Sequence, residues 1–132
     1  MKDVFVNLDI PMLQNLQSTA KSHIIILKFT ANWCGPCKRT KSLVESHFCN
    51  LPDNALVFEL DIDDPTNIPL YSALKSKRQI NGIPALLAFY SDVERPYWYV
   101  PDASVNSSSV PAINNFFRNA ITRANAIMSR TQ

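Results

Sequence analysis

The sequence predicts an α/β fold, a central mixed β-sheet of about five strands flanked by about four helices. Three observations predict it. Apolar, β-branched runs alternate with segments of helical period through the first two thirds of the chain. Two neighbouring strand-like runs then follow without a helix between them. The chain closes on its most strongly periodic helical segment. At 132 residues the whole chain, 1–132, is expected to be one domain with a core large enough to need no staples.

The elements follow in order. Val4 to Asn7 reads as a short strand. Asp9 can cap a helix with Pro11 in its first turn and Met12, Leu13, Leu16 and Ala20 as its apolar stripe. "HIIILKFT", 23 to 30, is a buried central strand. From Gly35 to about Phe48 the pattern is helical, with Cys37, Leu43, Val44 and Phe48 near one face. "LPDN" is a turn and "ALVFELDI", 55 to 62, a strand. Pro69, Leu70, Ala73 and Leu74 suggest a short helix. "PALLAFY", 84 to 90, is a strand, and "PYWYVP", 96 to 101, an edge strand bounded by prolines. Ser109 then caps a helix with Pro111 in its first turn. Ile113, Phe116, Phe117, Ala120, Ile121, Ala124 and Ile127 recur along it at helical spacing.

Bulk properties narrow the function classes. Apolar residues make up 46% and charged residues 18%, an ordinary globular balance rather than a disordered one. A net charge of +2 is too mild to argue for a nucleic-acid or membrane partner. No apolar run reaches the roughly 18 residues of a transmembrane helix, and the start does not read as a signal peptide. Three unevenly spaced cysteines are no disulfide framework, so a reducing, cytoplasmic setting is expected.

The chemistry concentrates in "LKFTANWCGPCKRT", 27 to 40, where Cys34 and Cys37 fall at the junction of a buried strand and a helix. Unpaired N–H groups and the positive end of the helix dipole stabilise a thiolate there. Cys34 is expected to be exposed and partly ionised, and Cys37, one turn in, more buried. Cys34 would attack a target disulfide, and Cys37 would then attack Cys34 to release the reduced target. Two rivals exist, a structural disulfide and a zinc site built from Cys34, Cys37, His47 and Cys49. Zinc meets a geometric obstacle, because Cys37 and His47 on one helix lie roughly 15 Å apart along its axis.

Those residues resemble the thioredoxin family. "WCGPCK", 33 to 38, matches its active-site motif, "NGIPA", 81 to 85, is similar to its cis-proline loop, and "LDID", 60 to 63, to the strand end before its third helix. The resemblance covers nearly the whole chain. It implies a thioredoxin-like fold and a thiol–disulfide oxidoreductase that mainly reduces protein disulfides. Cys34 is then the nucleophile, Cys37 the resolving thiol and Pro84 the cis-proline. Trp33, Gly35, Pro36, Gly82 and Ile83 would join Pro84 in the substrate surface. The implied partners are disulfide-bearing proteins and a thioredoxin reductase or another thiol reductant. No bound cofactor or metal is implied, and a monomer is expected. The alternative is a thioredoxin fold used as a binding module or assembly subunit, its redox activity incidental.

The chain also departs from the family pattern. Lys28 stands six residues before Cys34, where the family usually has a buried aspartate, and Glu59 falls on the neighbouring strand where many bacterial members have lysine. A Lys28–Glu59 pair reversing that arrangement is expected. Lys28 then either favours the Cys37 thiolate or handles its proton, or it snorkels to the surface and touches nothing. Extra length falls around "PTNIPLYSALKSKRQ", and Lys75, Lys77 and Arg78 are either a lure for an acidic partner or a solvated helix end. Glycines common in the family's last hairpin are missing, and the one that borders substrate would fall near Val100 or Pro101. Tyr97, Trp98 and Tyr99 there either pack or alter docking. Cys49 is expected to be a half-buried spectator, His23 and His47 surface or strand-edge residues, and the "NSS" at Asn106 a chance glycosylation pattern.

Overall fold

The computed structural model describes residues 2–130. Five strands and four helices follow in chain order: β1 (Val4–Phe5), α1 (Ile10–Thr19), β2 (Ile24–Thr30), α2 (Gly35–Cys49), β3 (Ala55–Asp61), α3 (Ile68–Ser76), β4 (Ala85–Tyr90), β5 (Ala103–Val105) and α4 (Val110–Arg130). The sheet order is β1-β3-β2-β4-β5, with β2 at its centre. β1 and β2 run parallel to β3, whereas β4 is antiparallel to both β2 and β5.

The alternation of side chains along β2 sorts the core into two layers. Ile24 and Ile26 face α2 and α4, meeting Val44, Phe48, Ile113, Phe116 and Phe117. Ile25, Leu27 and Phe29 face the other way, meeting Leu13 of α1 and Leu70 and Leu74 of α3. Lys28 continues the Ile24–Ile26 row, so its side chain enters the layer covered by α2. Phe117 carries much of that layer's aromatic packing. Phe116 and Phe48 meet it edge-on at 5.1 and 5.8 Å, and His47 stacks on it at 4.6 Å.

Local signals place the helix starts. Asp9 Oδ1 accepts the Met12 N–H at 2.9 Å, and Pro11 needs no partner in the first turn. Ser109 Oγ accepts the Ala112 N–H at 3.3 Å at the head of α4. Asn67, wholly buried, accepts the Leu8 N–H and donates to the carbonyls of Val6 and Asp61, tying β1, the end of β3 and the start of α3 together.

Three expectations need correction. β1 is two residues long rather than four, because Val6 and Asn7 turn away from β3 toward Asn67 and Asp64. Met12 is 51% exposed and belongs to no core. The segment 96–101 is not a strand. Prolines at both ends lack the donors a ladder needs, and the last strand is Ala103–Val105, paired with Leu86–Ala88. The segment before it is a closed loop. Arg95 pairs with Asp102 and donates to the carbonyls of Val100 and Tyr90, while Asp102 accepts the Tyr90 N–H at 2.6 Å. Those side chains tie Val100 to the end of β4 with no glycine in the segment. Trp98 and Tyr99 pack against the core layer on the α1 and α3 side.

Candidate active site

β2 delivers the chain to Thr30, and the turn through Ala31, Asn32 and Trp33 is closed by the Cys34 N–H donating to the Ala31 carbonyl at 3.2 Å. Cys34 is the N-cap of α2, with Gly35 and Pro36 in the first turn. Its Sγ lies 3.2 Å from the Cys37 backbone nitrogen, so an amide that the helix cannot satisfy is directed at this sulfur. Cys34 and Cys37 are joined as a disulfide, their Cα atoms 5.3 Å apart.

Both sulfurs are covered. Cys34 is 4% exposed and Cys37 2% exposed, so the expected contrast between an open and a buried cysteine is absent from this oxidised form. The physical reason is that Cys34 is bonded inward to Cys37, with Ala31, Ile62 and Ile83 packed around the pair. The exposed neighbour is Trp33, 65% accessible, whose Nε1–H donates to Asp63 Oδ2 at 3.0 Å. Asp63 is held in turn by its own N–H donating to Asp61 Oδ1 at 2.9 Å. Asp63 is the last residue of the "LDID" motif. The bond to Trp33 is what that motif does here.

Opposite the cysteines the Ile83–Pro84 peptide bond is cis, and Pro84 is buried. Gly82 and Ile83 are half-buried, and among the described residues no hydrogen bond reaches the N–H or C=O of Ile83. The residue that contacts this loop from the last hairpin is Asn106. Its Nδ2 donates to the carbonyls of Gly82 and Pro84, each at 2.9 Å, and its Oδ1 accepts the Asn81 N–H. Val100 and Pro101, expected beside substrate, instead belong to the loop closed by Arg95 and Asp102. No local signal marks Asn106; only the register of β5 on β4 brings it there.

Lys28 does not snorkel. It is 2% exposed, lies directly across from Glu59 in the parallel register, and places Nζ 3.5 Å from Glu59 Oε1. A cavity of about 300 Å³ is lined by Lys28, Glu59, Cys37, Lys38 and Lys41, along with the turn 30–32. Lys28, Lys38 and Lys41 border this space beside Cys37, with Glu59 across from Lys28 and Glu45 4.0 Å from Lys41. A larger cavity, about 490 Å³, lies at the other end of β2, between α1 and the loop around Trp98, and includes neither cysteine of the pair.

The remaining residues named from sequence lie apart from the pair. Lys77 sits over the Tyr99 ring at 4.3 Å and Lys75 near Tyr71 at 5.6 Å, so aromatic faces hold two of the basic side chains. Cys49 is a free, exposed thiol at the end of α2, not half-buried. His47 bonds Asn114 Oδ1 at 2.7 Å, and among the described residues no group of three His, Cys, Asp or Glu side chains could hold a metal.

The mixed sheet that carries this cysteine pair and cis-proline loop has the fold of solved thioredoxins. The reduced thioredoxin pre-protein of Schistosoma mansoni superposes with TM-score 0.64 at 18% identity, covering 92% of this chain and all of that one. Oxidised thioredoxin O1 of Arabidopsis thaliana superposes with TM-score 0.64 at 22% identity, covering 89% of this chain and 97% of that one. At such identities the fold is what is shared. In sequence, the thioredoxin family model matches residues 12–104, and the chain belongs to the thioredoxin family. Thioredoxin of Ophiophagus hannah is 36% identical over 58 residues, 44% of this chain and 54% of that protein. Thioredoxin of Chlamydia trachomatis is 31% identical over 85 residues, 62% of this chain and 76% of that protein. Against the Ophiophagus and mouse thioredoxins the chain spans about half the relative's length.

Proposed function

We propose that this chain is a thiol–disulfide oxidoreductase that mainly reduces protein disulfides. The observation that carries the proposal is the Cys34–Cys37 disulfide at the head of α2, bordered by the unpaired backbone of Ile83. In the reduced protein the Cys34 thiolate attacks one sulfur of a target disulfide, forming a mixed disulfide and expelling the other target sulfur as thiolate. The Cys37 thiolate then attacks Cys34 Sγ, forms the intramolecular disulfide and expels the second target thiolate. Two electrons have left the pair, and a thioredoxin reductase or another thiol reductant returns them.

The local structure supports each role. Helix-end amides, the Cys37 N–H among them, favour negative charge on Cys34. Trp33, Gly35, Pro36, Gly82 and Ile83, backed by the buried cis Pro84, form the surface on which a target chain lies, and Ile83 offers it an open N–H and C=O. The Lys28 ammonium, anchored by Glu59, favours the Cys37 thiolate across their shared cavity and so assists the resolving step. Among the described residues no helix is long and apolar enough to cross a membrane. We infer a reducing, cytoplasmic setting, where such a pair is kept supplied with electrons.

Insulin reduction driven by dithiothreitol tests the reading. Acceleration over dithiothreitol alone, lost in Cys34→Ser, is expected. Absence of acceleration would leave the binding-module alternative in possession. Cys37→Ser should accumulate mixed disulfides through Cys34 and identify the targets by mass. Replacing Lys28 with Asp and titrating both thiols tests the cation, since an unchanged Cys37 titration would remove Lys28 from the mechanism.

A further inference from the structure

Asn106 uses its whole carboxamide on one short loop. The amide hydrogens go to the Gly82 and Pro84 carbonyls, and the amide oxygen receives the Asn81 N–H. These groups belong to 81–84, a segment outside any helix or strand, so no ladder holds it. The two carbonyls flank Ile83, whose side chain packs on the disulfide. Ile83 alone in this segment keeps both of its peptide groups free of hydrogen bonds from the described residues. Asn106 therefore engages three of the neighbouring groups and leaves Ile83 as the residue of this segment with both its N–H and its C=O open.

We propose that Asn106 is a positioning residue for substrate. It fixes the Gly82–Ile83–Pro84 backbone against the disulfide, so that an extended, disulfide-bearing polypeptide aligns on the open N–H and C=O of Ile83. A side chain of this shape is required. Serine is too short to bridge both carbonyls, and aspartate can accept from Asn81 but cannot donate to Gly82 and Pro84. The inference rests on the oxidoreductase reading above, because a site that reduces no protein disulfide has no substrate to align.

The test compares a protein disulfide with a small one. Reduced wild type, Asn106→Ala and the isosteric Asn106→Asp would each be mixed with insulin and with 5,5′-dithiobis(2-nitrobenzoate). Loss of the two donated hydrogen bonds, common to both variants, should raise the KM for insulin about fivefold in each. The plateau rate with insulin and the rate with the small disulfide should hold within about twofold, because neither depends on a strand lying along Ile83. Amide hydrogen exchange at Asn81 should quicken in Asn106→Ala and stay slow in Asn106→Asp, which retains the acceptor. An unchanged KM in both variants overturns the proposal. So does a parallel fall in the insulin and small-disulfide rates, which would make Asn106 a mere support for the cysteines. Failure of wild type itself to reduce insulin would overturn the oxidoreductase reading instead.

Discussion

Lys28 Nζ lies 3.5 Å from Glu59 Oε1, and the two residues face each other across adjacent parallel strands. The pair is lopsided in its burial, with the lysine side chain 3% exposed and the glutamate side chain 27%. Desolvation therefore falls mainly on the cation. Its carboxylate partner, reached by water, offsets only part of that cost.

That asymmetry predicts opposite outcomes for the two truncations. Lys28→Met fills the same space with an apolar chain and removes the buried charge. It should change stability by less than about 1 kcal/mol, or raise it. Glu59→Gln leaves the ammonium buried without a counter-charge and should cost about 1–3 kcal/mol, less than a fully enclosed pair because solvent reaches the site. Urea unfolding at neutral pH checks both. Equal losses in the two variants would mean that the pair acts as a plain attractive bridge.

Asn67 predicts a larger loss from a single polar residue. Wholly buried, it serves three backbone groups, those of Val6, Leu8 and Asp61, in two segments that no shared ladder joins there. Asn67→Ala would strand these groups without access to replacement partners, and should cost about 2–4 kcal/mol. Thermal unfolding measures the loss. Asn67→Asp should recover only part of it, since a carboxylate can accept from Leu8 but cannot donate to either carbonyl.

How far the sequence foretold this structure depends on the range of the interaction. The helix starts at Asp9 and Ser109 were legible because a cap acts within three residues. The Lys28–Glu59 pair was legible through the family resemblance, which put the two residues on neighbouring strands, and the parallel register sets them face to face. The loop at 91–102 was not. Its aromatic run mimics a strand, and only the fold of the loop brings Arg95 onto Asp102 and the carbonyls of Val100 and Tyr90. Asn106 was hidden because its three partners lie more than twenty residues away in sequence. The covering of Cys34 depends on Ile62 and Ile83, which reach it from two separate loops.

The loop at 91–102 supplies its own prediction. Asp102 anchors the Tyr90 N–H and the Arg95 guanidinium, and Arg95 in turn holds the Val100 carbonyl. Asp102→Ala should therefore release 91–102 as a unit, with amide exchange quickening across the loop but not in β2 or β3. The cost to global stability should be about 1–2 kcal/mol, because the pair is only partly exposed. Exchange confined to Tyr90 and Asp102 would show that the loop is held by Trp98 and Tyr99 packing instead.

Acid provides the last test, at Asp92. Burial alone would raise its carboxyl, but Arg130 at 2.7 Å and Arg123 at 3.0 Å hold it below the ordinary carboxylate range. A carboxyl held low in the folded chain binds fewer protons there than in the unfolded chain, so its contribution is fully present above the unfolded value near 4. That contribution fades as pH falls through the lower folded value. Both arginines are more than a third exposed, so solvent limits the gain to about 1 kcal/mol at neutral pH. Asp92→Asn should therefore be less stable than wild type at neutral pH and equal to it once the wild-type carboxyl is protonated. Urea midpoints taken across the acid range would show the two curves converging. A constant gap at every pH would assign the loss to packing and hydrogen bonding rather than charge.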